Sequence, residues 1–252
     1  MSMMRKSGLL VISALLFLTI WQLIISVGNY PEALLPSPKN VFYAFEKYSS
    51  DGLLISHIGI SMYRFVLGYS AAAILAILLG LALGRLTLLW GILDPIVQLL
   101  RPVSPIAWSP FIVLWFGIGN MPAIVIIFIA AFFPVLLSTI TAVKRVDPLY
   151  LKVAANLELS NVQLIGKIIF PAAFPAIAGG LHLALGSAWV FLVAGEMVGA
   201  QSGLGYLIVD ARNSLSLDVV MMAILTIGII GFILDRIIHF AEKWVVHKYF
   251  SA

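Results

Sequence analysis

The stretch Leu151–Ile177, LKVAANLELSNVQLIGKIIFPAAFPAI, decides how this chain is read. It is polar and amphipathic, yet strongly apolar segments flank it on both sides. It follows Lys144, Arg145 and an Asp147-Pro148 break, and it ends at the Pro171/Pro175 pair. Asp147 suits the cap of a short helix and Pro148 its first turn, where a missing N–H does no harm. Leu149, Val153, Ala154 and Leu157 then fall near one face, with Lys152, Asn156 and Ser160 on others. Small Ala154 and Ala155 permit close approach by a partner. The plainer reading is an interfacial helix lying on lipid. Against it, this helix is short, weakly basic and fixed at both ends by spans. A docking contact is expected on Pro148–Ser160. Asn161–Ile177 reads as a ramp into the next span, with Pro171 and Pro175 setting the turn.

Working outward, the whole chain is lipid-like. It has 252 residues, of which 62% are hydrophobic and 10% charged, with a mean hydropathy of +1.09. A soluble domain of that size needs far more surface charge. A helical span takes about 20 apolar residues, so the expectation is an all-α polytopic membrane protein with six transmembrane helices. The N-terminal apolar run continues to Val27, too long for the core of a cleaved signal, and reads as a retained first span from Leu9. A polar connection follows, with a short interfacial helix starting near Pro38 and presenting Phe42, Phe45 and Tyr48. Span two, Ser61–Leu83, carries a small residue at every fourth position (Gly68, Ala72, Ala76, Gly80, Gly84), a row that lets another helix come close. Span three, Ile92–Phe116, contains Pro95, Pro102, Pro105 and Pro110 and cannot be one regular helix. Broken backbone at membrane depth needs protein or a watery cavity around it, which makes this segment a candidate pore wall. Asp94 before Pro95 reads as its cap. Spans four to six are Ala123–Val143, Ile177–Gly199 and Val219–Phe240.

An even number of spans puts both termini on one side. That side holds Arg5, Lys6, Arg85, Arg101, Lys144, Arg145, Lys152, Lys167, Arg236, Lys243 and Lys248. The other holds Lys39, Lys47 and Arg212, with Arg64 near its edge, out of 15 cations in all. Lys and Arg accumulate in cytoplasmic loops, so both ends and the 148–160 helix are expected to be cytoplasmic. The net charge of +4 then reads as membrane anchoring, and nucleic acid is not an expected partner.

Motifs for chemistry within the chain are lacking. No GxxxxGK[ST] phosphate loop occurs. Cysteine is absent, HExxH is absent, and the four histidines (His57, His182, His239, His247) are scattered rather than set at metal-ligand spacing. No catalytic residue and no metal site are expected. His182 reads as a hydrogen-bonded packing residue, and Asp235 and Glu242 as partners of nearby cations. The few charges inside the spans are informative, because an unpaired one is costly. Arg64 and Glu196, near the same end of spans two and five, are expected to pair. The pair is either a structural tie or part of a translocation path. For a gate, the candidates are Trp108 and Pro105 in the Pro-rich segment, faced by Trp189 and Glu196.

The segment 153–171, VAANLELSNVQLIGKIIFP, resembles the cytoplasmic loop EAA-x3-G-x9-I-x-L-P of the membrane subunits of ABC importers. Ala154, Ala155 and Pro171 match that pattern and Ile169 falls near its Ile, with one residue fewer between the alanines and Pro171 than the pattern has; Val153 stands at its Glu and, counted back from Pro171, Glu158 at its Gly. LLPSPKNV, HIGISMYRFVLGY, LDPIVQLLRPVSPIAWSPFIVLWFGIGN, FFPVLLSTITAVKRVDPLYLKVA, GSAWVFLVAGEMVGAQSGLGYLI and GFILDRIIHFAEKWVV resemble the nitrate/sulfonate/taurine branch, from about Leu35 to Trp244. The resemblance implies a type I ABC importer transmembrane fold at 57–241, preceded by an N-terminal span and connection at 1–56 and followed by a tail at 242–252. It implies a permease subunit in a bacterial inner membrane, acting as a homodimer. Two ATP-binding subunits would dock through Leu149, Val153, Ala154, Ala155, Leu157, Glu158 and Ser160, and a solute-binding protein would deliver a small anionic or zwitterionic solute. ATP and Mg would be used by the partner ATPase, with no cofactor bound by this chain. The alternative from the residues alone is a stand-alone secondary transporter or channel.

Overall fold

The computed structural model describes residues 3–28, 31 and 34–250, with side chains placed only within 12–245. The flanking cations Arg5, Lys6 and Lys248 lie outside the described side chains. Among the described residues every regular element is helical. The elements are α1 (Met3–Gly28), α2 (Pro38–Ser50), α3 (Leu53–Arg85), α4 (Thr87–Leu100), a 3₁₀ turn (Pro105–Trp108), α5 (Ser109–Phe116) and α6 (Asn120–Lys144). Then come α7 (Pro148–Asn156), α8 (Asn161–Leu164), a π turn (Ile165–Ile169), α9 (Phe170–Gly199), α10 (Leu204–Asn213) and α11 (Leu217–Phe250).

Among the described residues four helical stretches are long and apolar enough to cross a membrane: Leu53–Arg85, Asn120–Lys144, Asn161–Gly199 and Leu217–Val245. A fifth is broken. Thr87–Leu100 and Pro105–Phe116 meet at 86°, so the Pro-rich segment bends where Pro102 and Pro105 interrupt the backbone ladder. Pro95 stays inside α4, and Pro110 sits in the first turn of α5. Asp94 does not cap this helix: it lies within α4, and its Oδ1 accepts a hydrogen bond from Gln98 Nε2 at 3.3 Å. The predicted first span falls on α1, of which Leu15–Gly28 is the apolar part with described side chains.

The centre of the molecule is α6, held between α3 and α9. The small-residue row of α3 is what admits it. A Cβ at Gly68 would lie 2.7 Å from the Ile124 carbonyl oxygen, and one at Gly80 would lie 2.6 Å from Thr139 Cβ. Ala72 and Ala76 are fully enclosed. From the other side, Ala184 and Ala188 of α9 are equally enclosed, and Gly195 and Gly199 rest on Ala123 and Pro122 of α6. These close approaches provide the van der Waals packing that replaces hydrophobic association between helices in lipid. Trp21, Val41, Ala44, Leu54, Leu207 and Met222 gather α1, α2, the start of α3, α10 and α11 into a second core at the end of the bundle far from α7. Ser37 caps α2, its Oγ accepting from Asn40 N, and Phe42 and Phe45 are exposed there while Tyr48 packs inward.

The ramp predicted over Asn161–Ile177 is continuous helix rather than a turn. Pro175 lies inside α9. Pro171 has no N–H to donate and crowds the preceding turn, and the backbone widens just before it: Phe170 N bonds Ile165 O, five residues back. This π turn accommodates the proline without ending the helix.

Candidate functional site

The helix α7 is a short element fixed at both ends. Asp147 Oδ1 accepts from Leu149 N at 2.8 Å, with Pro148 in the first turn, as the sequence predicts. At the other end Glu158 N bonds Ala155 O at 3.1 Å and Leu159 N bonds Ala154 O at 3.2 Å. That pair of bonds is a Schellman cap, whose extra residue takes the left-handed conformation. The extra residue is Glu158, with φ of 52°. Counted back from Pro171, this is the position where the importer loop pattern has Gly, and the reason is steric: a Cβ strains this backbone region. Replacing Glu158 with Gly is expected to stabilise the cap by about 0.5–1 kcal/mol, read as a small rise in melting temperature of the detergent-purified chain. A fall would contradict the cap. Ser160 then opens α8 with a capping box: its Oγ accepts from Gln163 N while Gln163 Oε1 accepts from Ser160 N.

The two faces of α7 differ. Leu151 packs against the roots of α6 and α9, beside Ile169 and Ala173. Ala154 also faces inward at 3% exposure, which removes it from the predicted docking face. Its small size serves the helix's own seat. On the outer face Leu149, Tyr150, Val153 and Leu157 are 62%, 54%, 45% and 64% exposed. Leu149, Val153 and Leu157 follow i, i+4, i+8 spacing, so they form one stripe. Ala155, Glu158 and Ser160 are exposed beside it. This apolar row sits outside the spans, among Lys144, Arg145, Lys152 and Glu158. Large apolar side chains exposed among charges mark a contact surface.

At the opposite end of α3 and α9 lies a buried ionic cluster. Arg64 Nη1 donates to Glu196 Oε1 at 2.7 Å, with the two side chains 1% and 0% exposed. All five N–H groups of Arg64 are used. Nη1 also donates to Ser202 O at 2.6 Å, Nη2 to Ser202 Oγ at 2.7 Å, and Nε and Nη2 to Asn120 Oδ1 at 2.9 and 2.8 Å. Glu196 accepts from Ser61 Oγ at 2.8 Å and from Gly205 N at 2.8 Å, and Ser61 Oγ in turn accepts from Leu204 N. Gly203 N donates to His57 Nδ1 at 3.0 Å. Glycine is required at 203, where φ is +99° and a Cβ would run into Glu196 and Arg64. The cluster therefore ties α3, the start of α6, α9 and α10 together, with every charge satisfied. Enclosed this way, neither Arg64 nor Glu196 faces a passage in this structure. The predicted pairing is present. Asn120, Ser202 and the GLG main chain were missed, because hydrogen bonds to loop backbone leave no periodic signal.

The gate candidates are not assembled. Trp189 is enclosed: its ring stands edge-on to Phe65 with centroids 5.4 Å apart, its Nε1 donates to Ile227 O at 3.1 Å, and Gly231 of α11 makes room for it. It is a packing anchor between α3, α9 and α11 rather than the wall of an opening. Pro105 and Trp108 are half-buried in the 3₁₀ turn at the 86° bend, beside α6 and α9.

The comparisons agree with this architecture. The family described as "Binding-protein-dependent transport system inner membrane component" matches residues 72–247. The chain belongs to this family. It is a transport subunit with its helices in a membrane. It is 36% identical over 226 residues to the putative aliphatic sulfonates transport permease protein of Bacillus subtilis, covering 90% of this chain and 82% of that protein. It is 37% identical to the taurine transport system permease protein of Escherichia coli (86% and 81% covered) and 35% identical to a nitrate import permease protein of Synechocystis (91% and 86% covered). Among solved structures it resembles a chain of the inward-facing MetNI methionine ABC transporter, with a TM-score of 0.59 and 17% identity over 76% of this chain and 97% of that one. That likeness shows the shared permease fold.

Proposed function

We propose that this permease takes up a small anionic or zwitterionic solute of the sulfonate, taurine or nitrate kind, and that ATP-binding partner subunits drive it through α7. The exposed row Leu149–Val153–Leu157, on a helix capped at both ends and seated on the roots of α6 and α9, carries this reading. Two copies of the chain would enclose the path, two ATP-binding subunits would use Mg-ATP, and a solute-binding protein would supply the solute on the far side. The distribution of Lys and Arg supports placing α7 and both termini in the cytoplasm.

Mechanically, closure of the ATP-binding subunits moves α7. Leu151 and Ala154 pass that movement to the α6–α9 root. The glycine-packed block α3–α6–α9 then swings as a unit, because its far end is locked by the Arg64–Glu196 cluster. Such rigid-body motion alternates access to a central path. The bend at Pro105 and Trp108 is assigned as the gate. Trp108→Ala is expected to raise basal leak or uncouple ATP hydrolysis from uptake in reconstituted complex; unchanged leak and coupling would remove the gate from that turn.

The alternative, a transporter acting alone, would need a free carboxylate to couple an ion. Glu196, the candidate the sequence offers, is spent on Arg64, Ser61 and Gly205. Reconstituted vesicles decide between the two. Uptake should require the ATP-binding subunit, ATP and the solute-binding protein together; uptake by the chain alone would favour the alternative.

A further inference from the structure

Four residues that no part of the transport account uses meet between α9 and α11. Asp235, His239 and Glu242 of α11 are spaced i, i+4, i+7 and so share one face. That face meets His182 of α9. His182 Nδ1 lies 3.2 Å from Glu242 Oε2, and His182 Nε2 lies 2.9 Å from Asp235 Oδ1. The His182 and His239 rings stand 5.8 Å apart between centroids, at 73°. One nitrogen from each histidine and one Glu242 oxygen all fall within 4.8 Å of one another, and all three residues are partly buried. Glu242 also borders a mostly apolar crevice of about 350 Å³ between α3, α9 and α11.

We propose that His182, His239 and Glu242 bind a divalent transition metal of the zinc class, with Asp235 positioning His182. Two imidazoles and one carboxylate are a three-ligand set that leaves a fourth position open. Ligand atoms on a tetrahedral ion at about 2.0–2.1 Å stand roughly 3.3 Å apart. The 3.2 Å between His182 Nδ1 and Glu242 Oε2 already matches that spacing. His239 completes the set by a side-chain rotation that closes the remaining gap. Asp235 then does what a carboxylate behind a metal-bound histidine does: it accepts a hydrogen bond from the far N–H and fixes which nitrogen faces the ion. The bound ion would staple α9 to α11. The residues are far apart in the sequence, which is why the histidines read as scattered there.

The competing arrangement is a protonated His182 bridging Asp235 and Glu242, and it makes no use of His239. The test therefore turns on His239. The full-length chain, purified without a histidine tag and stripped with chelator, is titrated with Co²⁺ and then with Zn²⁺. The expected result is saturable uptake of one equivalent per chain, with the visible absorption of tetrahedral Co²⁺, displaced by Zn²⁺. His239→Ala and Glu242→Gln abolish that uptake while elution volume and helicity stay unchanged, and Asp235→Asn weakens it by roughly 10–100-fold. No stoichiometric uptake by the wild-type chain overturns the proposal. So does a His239→Ala chain that binds as tightly as wild type.

Discussion

Replacing Glu196 with Ala is expected to destabilise the chain by about 3–5 kcal/mol, because it leaves the Arg64 guanidinium buried without its counter-charge. Arg64 is 1% exposed and cannot turn to water. Ser202 and Asn120 would still accept from it, but neither carries charge. Arg64→Met should cost a similar amount, since Glu196 would keep only Ser61 and Gly205 as donors. The double variant Arg64→Met/Glu196→Leu should recover much of the loss, as apolar replacements of buried ion pairs often do. Denaturant or thermal unfolding in detergent gives all three values and their coupling. These outcomes are those of a structural tie. A Glu196→Ala chain of wild-type stability that has lost transport would place Glu196 in the path instead.

The second large effect is expected on α7. Leu149→Asp and Val153→Asp each put a charge into the centre of the exposed apolar row. Neither side chain contributes to a core of this chain, at 62% and 45% exposure, so yield and melting temperature should hold. Association with the ATP-binding subunit should weaken by about 2 kcal/mol or more, roughly 30-fold, as for a central interface anchor. Copurification and ATP-driven uptake should fall together. Ala155→Asp, on the same outer side, should act in the same direction. Intact complexes that still transport would remove the docking assignment.

Much of this arrangement is legible in the residues. The four-residue spacing of Gly68, Ala72, Ala76, Gly80 and Gly84 marks a face for close packing, and α6 occupies it. The prolines of 95–110 mark a broken span, and the break is at Pro102–Pro105. Asp147-Pro148 marks the start of α7. Other features depend on neighbours that no local pattern names. Ala154 has the same small side chain as Ala155, and only the seat of α7 on α6 and α9 decides that one faces inward. Trp189 suits a gate by composition, but Gly231 opposite it turns the site into packing. Pro171 and Pro175 suggest a turn, yet one wide turn at Ile165–Ile169 absorbs the strain and the helix continues. His182 and the Asp235–Glu242 face lie on separate spans, so their meeting is a property of tertiary packing alone.

The proposed docking surface for an ATP-binding subunit is the outer row of α7. The chain contains no cysteine, so one placed at Val153 is unique. The most direct measurement is crosslinking from Val153→Cys in the assembled complex, with Leu78→Cys, exposed on the flank of α3, as the control. The expected result is a covalent product between Val153→Cys and the ATP-binding subunit, none from Leu78→Cys, and a yield that changes when ATP is added. No product from Val153→Cys in a complex that hydrolyses ATP and transports would contradict it.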